Sequence, residues 1–425
     1  MQKCLKLTMR AHHEKDYEKA DEAREQVHKE NKPIVCLGPP GTGKTSVVGR
    51  AVRQALKDGA RVLFANPTAR LSSRMRARFP DADVDTCHAA FRLDADIDES
   101  VPLMAPYDFV VIDEISLLTQ AQFERIMRLW QAADRVPTLV FLGDKFQLPG
   151  MGNFRPWHSA AWSKGHLRFV HLYEPKRCTD FEHNKLLQAL RTDTPTKESR
   201  LVERICRGHK AWHGKDPDVN DVKRLLRKHP NAAMVTCTRR SAEILNNLAI
   251  EALHPVKKPL VVLPGDIHAN PENYDADNNF RIDRKPRPSQ VPIYKGMKLY
   301  LTQNVIKDHD YINGMLCTVE KFTRKGGYDL LRVRTETGRR LTITPWTSRD
   351  PKYRKVSFYP IRPGYASTIH KVQGDEFDFI IIWLDIAEMP AAGYTALSRV
   401  GKRSHYLIGG SMTEKHFVPA NYKKR

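Results

Sequence analysis

Residues 10–30 alternate in charge sign without an apolar stripe, which predicts an exposed helix or frayed leader at the start of the chain, 1–30. The pattern changes at Ile34. Short β-rich runs follow one another: IVCL (34–37), RVLFA (61–65), FVVID (109–113) and TLVFLG (138–143). Between them lie stretches of helical periodicity such as SVVGRAVRQAL (46–56). Strands alternating with helices predict a mainly parallel sheet covered by helices. A second series, AAMVTC (232–237), FIIIWLD (379–385) and HYLIGG (405–410), predicts a second unit of the same kind. The reading is α/β, with domains over about 31–165 and 166–425. Two segments break the rhythm. Residues 264–292 are rich in Pro, Asn and Asp and predict a long polar loop. Residues 315–362 hold LCTVEKF, YDLLRVRT, RRLTITPW and KVSFYPI around Gly-containing turns, which predicts a small antiparallel unit inserted into the second domain.

The first loop carries chemistry. Gly38-Pro39-Pro40-Gly41-Thr42-Gly43-Lys44-Thr45 fits G-x-x-x-x-G-K-[ST], with a β run before it and a helical run after it. Glycines let backbone N–H groups close around phosphate oxygens, and the helix N-terminus adds its positive end. In such a loop Lys44 supplies a cation to the β and γ phosphates and Thr45 a hydroxyl ligand to Mg²⁺. Asp113 and Glu114, at the end of FVVID, supply the acidic partners. Asp113 suits the metal and Glu114 suits an attacking water, so ATP hydrolysis is expected rather than transfer to a bound acceptor.

Composition narrows the partner. The chain of 425 residues holds 70 Lys+Arg against 49 Asp+Glu, a formal net charge of +21. Residues 1–150 carry only +1 of this and residues 151–425 the remaining +20; within the latter, 321–362 has 12 basic against 3 acidic residues. That asymmetry points to a polyanion, nucleic acid first. The seven cysteines are dispersed without zinc-ligand spacing, which argues for a reducing compartment. No apolar run approaches the roughly 18 residues of a membrane span, and the N-terminus lacks the apolar core of a signal peptide. An intracellular location is expected.

At GDKFQLP (143–149), following DEIS (113–116), the sequence resembles superfamily 1 DNA helicases, specifically the PIF/RecD/Dda-like branch. The likeness continues in order through ANPTARLSS (65–73), TCHAAF (86–91), FRPWHSAAW (154–162), LYEPKRCTDFEHNKLLQALR (172–191), Asn313-Gly314, STIHKVQGDEFD (367–378) and YTALSRV (394–400). It implies two tandem RecA-like P-loop domains with a small SH3-like β-barrel insert in the second, and an ATP- and Mg²⁺-dependent enzyme moving 5′ to 3′ on single-stranded DNA and at forks. By the same resemblance Gln147 would sense the γ-phosphate, Arg177 and Arg399 would neutralise charge on it, and Glu376 would contact the nucleotide. Pro67, Thr68, Arg70, Thr86, His88, Asn313, Thr368 and His370 would face the DNA. The resemblance further implies a monomer, with a single-strand-binding protein or replication factors as candidate partners, in DNA replication, recombination or repair.

Four departures bear on this. No glutamine stands clearly where the family reads adenine; Gln26 is only twelve positions before Gly38. Gly150 replaces the second proline usual after QLP, and Cys178 follows Arg177 where Gln is usual. The segment available for a strand-separating wedge, about 92–107, is short and acidic (Asp94, Asp96, Asp98, Glu99). Other features have two readings. Arg70, Arg74 and Arg78 share one helical face, either a phosphate-tracking stripe or a solvated surface. Tyr353 and Phe358 are stacking groups or core residues. Three other functions stay open: an RNA helicase, a translocase that strips proteins without unwinding, and a binding module with a vestigial ATPase.

Overall fold

The computed structural model describes residues 31–95, 100, 103–150, 154–176, 178–192, 199–275, 280–281, 283–348, 355–386, 389–410 and 412–420. The leader, Arg177, Tyr353 and part of the short acidic segment lie outside them. The chain divides into two compact units, one ending at residue 177 and the other beginning at Cys178.

The first unit is built on β1 (Ile34–Leu37), β2 (Val62–Asn66), β3 (Asp83–Thr86), β4 (Phe109–Ile112), β5 (Thr138–Gly143) and β6 (Arg168–His171). They form one sheet in the order β3-β2-β4-β5-β1-β6, every neighbouring pair parallel. Helices α1 (Lys44–Lys57), α2 (Ala69–Arg78), α3 (Cys87–Phe91) and α4 (Gln120–Ala132) cover it. The strands are apolar at successive positions because both faces are buried. Val35, Leu37, Ile112 and Phe141 pack with Phe123, Ile126 and Trp130 of α4 on one face. Cys36, Phe64, Val111 and Leu142 pack with Val52 of α1 and with Phe79 on the other. Gly49 lets α1 approach Phe79, since a Cβ there would lie 2.7 Å from the ring.

The second unit opens with α5 (Phe181–Leu190), α6 (Ser199–Cys206) and α7 (Val219–Lys228), followed by β7 (Ala233–Thr236) and α8 (Arg239–Leu253). An antiparallel region follows: β8 (Val261–Gly265), β9 (Ser289–Ile293), β10 (Lys298–Leu301), β11 (Leu316–Lys325), β12 (Tyr328–Thr335), β13 (Arg340–Ile343), β14 (Trp346–Thr347), β15 (Ser357–Phe358) and β16 (Ile361–Pro363). The chain then returns through β17 (Ala366–Thr368), β18 (Ile380–Trp383), α9 (Ala392–Leu397) and β19 (Tyr406–Ile408). The parallel sheet runs β17-β7-β18-β19, so the two halves of this α/β layer are separated by more than a hundred residues of sequence.

The antiparallel region differs from the expected one in extent. The sheet order is β13-β12-β11-β10-β16, so pairing begins at Lys298 rather than near 315. The polar stretch 264–292 is held at its base by β8 and β9, with Gly265 opposite Ser289. Both β10 and β8 are too short for their alternation to stand out; Leu299 and Leu301 reveal themselves only by being fully buried. Among the described residues the five strands pair in an open order, with β13 and β16 at its edges. Phe358 is buried against Trp346 and Val356, the core reading of that aromatic. Arg362 of β16 is buried, lies over the Tyr300 ring at 5.3 Å and pairs with Glu243 of α8 at 3.5 Å. Asn246 of α8 accepts from the N–H groups of Tyr365 and Ala366 at 3.0 and 2.8 Å. The antiparallel sheet is thus tied to α8 on both sides of Gly364. No helix among the described residues is long and apolar enough to cross a membrane.

Among the described residues Trp212 is the largest fully buried side chain, and it packs edge-on to Trp383 at 5.7 Å. Gly409, just after β19, makes room for it: a Cβ there would lie 1.9 Å from the indole. A Gly409→Ala substitution is expected to cost about 1–3 kcal/mol through overpacking. A shift of the denaturant midpoint at constant slope measures it, and an unshifted midpoint would mean that the indole relocates without cost.

Candidate functional site

The P-loop is the turn between β1 and α1, and its backbone needs glycine at two places. Gly41 and Gly43 have φ of 78° and 84°, in the left-handed region where side chains are disfavoured. Gly43 is the N-cap of α1, so no side chain caps the helix, and the first-turn N–H groups are left for an anion. Gly38 donates to Gly143 O at 3.1 Å, which fastens the loop to the end of β5. A Cβ on Gly38 would meet Leu172 O at 2.5 Å. Lys44 Nζ donates to Gly38 O at 2.7 Å and Pro39 O at 3.0 Å, and Thr42 Oγ1 donates to Pro39 O at 2.9 Å. The ammonium therefore lies over the loop that its own helix follows.

Thr45 joins this loop to the acidic strand end. Its hydroxyl donates to Asp113 Oδ2 at 2.8 Å, across 68 residues of sequence, because β1 and β4 flank β5 and end at the same edge. Asp113 Oδ1 accepts from Glu114 N at 2.8 Å, and Glu114 itself is in the left-handed conformation at φ 56°. A non-glycine residue held there is strained unless its surroundings impose it, and such strain clusters where a side chain must be aimed. Cys36 lies below the loop; burial pushes its thiol up, opposed by Lys44 and assisted by Asp113.

The Gln147 turn follows β5. Gln147 is buried, and its N–H donates to Asp144 O at 3.2 Å. Asp144 is buried too, and its carboxylate accepts from Phe146 N. Gly150 closes the turn by donating to Ser116 O at 2.8 Å. A Cβ on Gly150 would stand 2.1 Å from Leu117 O.

This donor set fits a magnesium–polyphosphate group. Among the described residues no cluster of three His, Cys, Asp or Glu could hold a metal by itself. Mg²⁺ is suited to that situation, since it takes one or two protein oxygens and shares the rest with phosphate and water. Thr45 and Asp113 are the hydroxyl and carboxylate in place for it.

The residues expected to face DNA occupy neighbouring strand ends. β2 and β3 are paired so that Asn66 stands opposite Thr86, which puts Thr86 and, two residues past Asn66, Thr68 at the sheet edge where β1 and β4 also end. Both threonines cap helices: Thr68 Oγ1 accepts from Leu71 N at 3.3 Å and Thr86 Oγ1 from Ala89 N at 3.4 Å. Thr68 and His88 are exposed, and Pro67 is partly so. Arg70 is 7 % exposed, Arg74 intermediate and Arg78 exposed, so the three share a face of α2 that grades from interior to surface.

In the second unit Thr368 ends β17 and is largely buried, while His370 in the following turn is partly exposed. Asn313 is exposed and its N–H donates to Asn304 Oδ1 at 2.9 Å. Glu376 is exposed and Arg399 is 2 % exposed. The Arg399 guanidinium donates to Thr395 O, Asp375 O and Ser398 Oγ at 3.0, 3.2 and 2.9 Å. A further strand-end acid stood in FIIIWLD without being singled out. Asp385, after β18, accepts from the N–H groups of Cys237 and Thr238 and from the Thr238 hydroxyl. Thr238 in turn caps α8. The second unit thus repeats the Thr45–Asp113 device, a strand-end aspartate bonded to a threonine where the neighbouring helix begins.

Known proteins resemble this chain in sequence and in fold. A family model described as an AAA domain matches residues 17–208. Over 403 residues the chain is 23% identical to the ATP-dependent RecD2 DNA helicase of Deinococcus radiodurans, covering 92% of this chain and 48% of that protein. Over 308 residues it is 27% identical to the ATP-dependent DNA helicase PIF1 of Mus musculus, covering 68% of this chain and 43% of that one. The chain therefore spans about half the length of the curated relatives it matches. In fold it is similar to Bacteroides Pif1 bound to ssDNA, with a TM-score of 0.65 at 18% identity over 93% of each chain. It is also similar to the Pif1 helicase of Candida albicans, with a TM-score of 0.63 at 19% identity over 93% of this chain and 95% of that one.

Gly150 yields a test of the Gln147 turn. Replacing it with proline, the residue the resemblance leads one to expect, removes the bond to Ser116 and forces ring atoms toward Leu117. Gly150→Pro is expected to destabilise by roughly 2–4 kcal/mol, from one lost hydrogen bond and overpacking together. Thermal unfolding reads this, and a variant as stable as the parent would show that the turn accommodates proline.

Proposed function

We propose that this chain, a Pif1-like helicase of superfamily 1, couples ATP hydrolysis to 5′-to-3′ movement along single-stranded DNA and to duplex unwinding. The observation that carries the reading is the Thr45–Asp113 bond, at 2.8 Å, on the sheet edge that also bears Thr68 and Thr86. Phosphate-binding and strand-facing residues on one rigid edge suit an enzyme that converts a change at one into a movement at the other. The relatives' names support DNA as the polymer.

Each residue has a part in this reading. Lys44, Thr42 and the amides of Gly38 to Thr45, excepting the two prolines, bind the triphosphate, and Pro39 and Pro40 shape the loop. Mg²⁺, held by Thr45 and Asp113, supplies charge neutralisation when bound. Glu114 orients the attacking water and Gln147 registers the γ-phosphate. Arg177, Arg399 and Glu376 complete the nucleotide contacts. Arginines in such roles are worth about 10³ to 10⁵ in rate. Pro67, Thr68, Arg70, Thr86, His88, Asn313, Thr368 and His370 hold the strand through contacts weak enough to be remade each cycle.

The antiparallel sheet is proposed as the counterpart of the SH3-like insert, with a basic face toward nucleic acid. Lys321 on β11 stands directly opposite Arg332 on β12, both exposed. Like charges opposite each other destabilise a sheet, and a bound polyanion relieves the repulsion. Glu320 already pairs with Arg334 and Arg340, at 2.6 and 3.4 Å. The partners proposed are single-stranded DNA and forks.

Three measurements test this. Lys44→Ala is expected to abolish ATP-dependent unwinding of a 5′-tailed duplex while single-strand binding persists. Unwinding only from a 3′ tail would overturn the direction, and unchanged activity of the variant would sink the mechanism. Stronger stimulation of ATPase by RNA than by DNA oligomers would turn the substrate to RNA. Salt dependence is the third measurement. Neutralising Lys321 and Arg332 to Gln is expected to flatten the slope of log K against log salt by about 0.7 for each phosphate that is no longer neutralised. An unchanged slope would mean that this face points away from the strand.

A further inference from the structure

His183 lies in the first turn of α5 and is 0 % exposed. Its Nε2 is 3.2 Å from Leu397 O and 3.2 Å from Val400 O. Both partners are carbonyls, so Nε2 is the protonated nitrogen and donates to the pair. Nδ1 is buried with no hydrogen-bond partner. Burial lowers the His183 pKa; the two carbonyls and Asp180 pull the other way without reversing it, so the ring is neutral. For packing alone this is a poor residue, because a leucine would fill such a space without burying an unbonded nitrogen. What the imidazole does is grip two backbone carbonyls.

Those carbonyls bracket Arg399. Leu397 ends α9, where carbonyls lack helical partners, and Val400 follows Arg399 directly. The same helix makes a second tie to this segment. Asp180, the N-cap of α5, accepts from His183 N through Oδ1 at 3.1 Å and from Arg403 N through Oδ2 at 2.9 Å. The stretch from Leu397 to Arg403 is therefore pinned at three backbone atoms to one turn of α5.

We propose that His183 is a positioning residue: its neutral imidazole fixes the backbone on both sides of Arg399 and thereby sets where the guanidinium can be aimed. The proposal rests on the reading that Arg399 acts in ATP hydrolysis, and it adds a residue that touches neither nucleotide nor DNA. The side chain required is one that donates from the Nε2 position and carries no charge.

The test compares His183→Leu with His183→Gln, whose amide nitrogen can take the place of Nε2, in the full chain. Leu is expected to lower the DNA-stimulated kcat on the order of 10- to 100-fold, the cost of a small misplacement of a reacting group. KM for ATP and the affinity for a fluorescent ATP analogue should stay near the parent's, and the melting temperature reads separately the stability lost when two buried carbonyls lose their donor. Gln should restore most of kcat. An undiminished kcat in the Leu variant overturns the proposal. So does an equal loss in both variants accompanied by a lower melting temperature, which marks a packing role. Arg399→Ala separates this from the underlying reading. If Arg399→Ala leaves kcat intact, the reading of Arg399 fails; if it lowers kcat and His183→Leu does not, only the positioning role fails. In the Arg399→Ala background the His183→Leu change should cause no further loss.

Discussion

Parallel pairing is the constraint on which the rest of this molecule depends. A strand that must run alongside its neighbour in the same direction forces the chain back over the sheet, so every loop that leaves a strand's C-terminal end opens on the same edge. In the first unit this delivers the P-loop, the Asp113–Glu114 pair, the Gln147 turn and the Thr68 and Thr86 caps to one rim. Long-range hydrogen bonds then register them. Gly38 to Gly143 and Thr45 to Asp113 fasten loops that are far apart in sequence. The second unit obeys the same rule with Thr368, Thr238 and Asp385, although the antiparallel strands interrupt it.

Much of this is legible in the sequence because buried parallel strands are apolar on both faces. IVCL, RVLFA, FVVID and TLVFLG read as strands with little ambiguity, and the glycines and Lys-Thr pair mark the loop. What escapes is what depends on contacts between distant segments. Lys298–Leu301 carries too few residues to display alternation, and β8 and β9 declare themselves only by pairing with each other. The helical position of Arg70 follows from spacing, but its burial follows from the strand it packs on. In the sequence His183 is one more residue in a charged helix start. Its meaning lies in two carbonyls over 200 residues away. Gly150 is a similar case: in place of a missing proline stands a backbone that passes too close to Leu117 for any side chain.

Charge and architecture separate along the chain. Residues 1–150 carry a net +1, while residues 151–425 carry the rest of the excess. The basic strand faces lie on the antiparallel sheet, where alternate residues point outward and bear the charge as the others form the core. Val319, Leu331, Val333 and Ile343 are buried, while Lys321, Arg332 and Arg340 are exposed. Period-two patterning allows a small sheet to be both a folded body and a polyelectrolyte surface.

That sheet is joined to the parallel layer by Arg362, Glu243 and the Asn246 amide, all close to Gly364. The joint has a mechanical meaning. Burial pushes the Glu243 carboxyl up to about 7 while Arg362 holds it down, so the contact is only partly an ion pair near neutral pH, and the two N–H bonds to Asn246 share the joint with it. The basic sheet is therefore linked through β16 to α8 and β17 by side-chain contacts as well as by the chain itself. A load on the antiparallel strands would reach, through this joint, the strand that ends in Thr368.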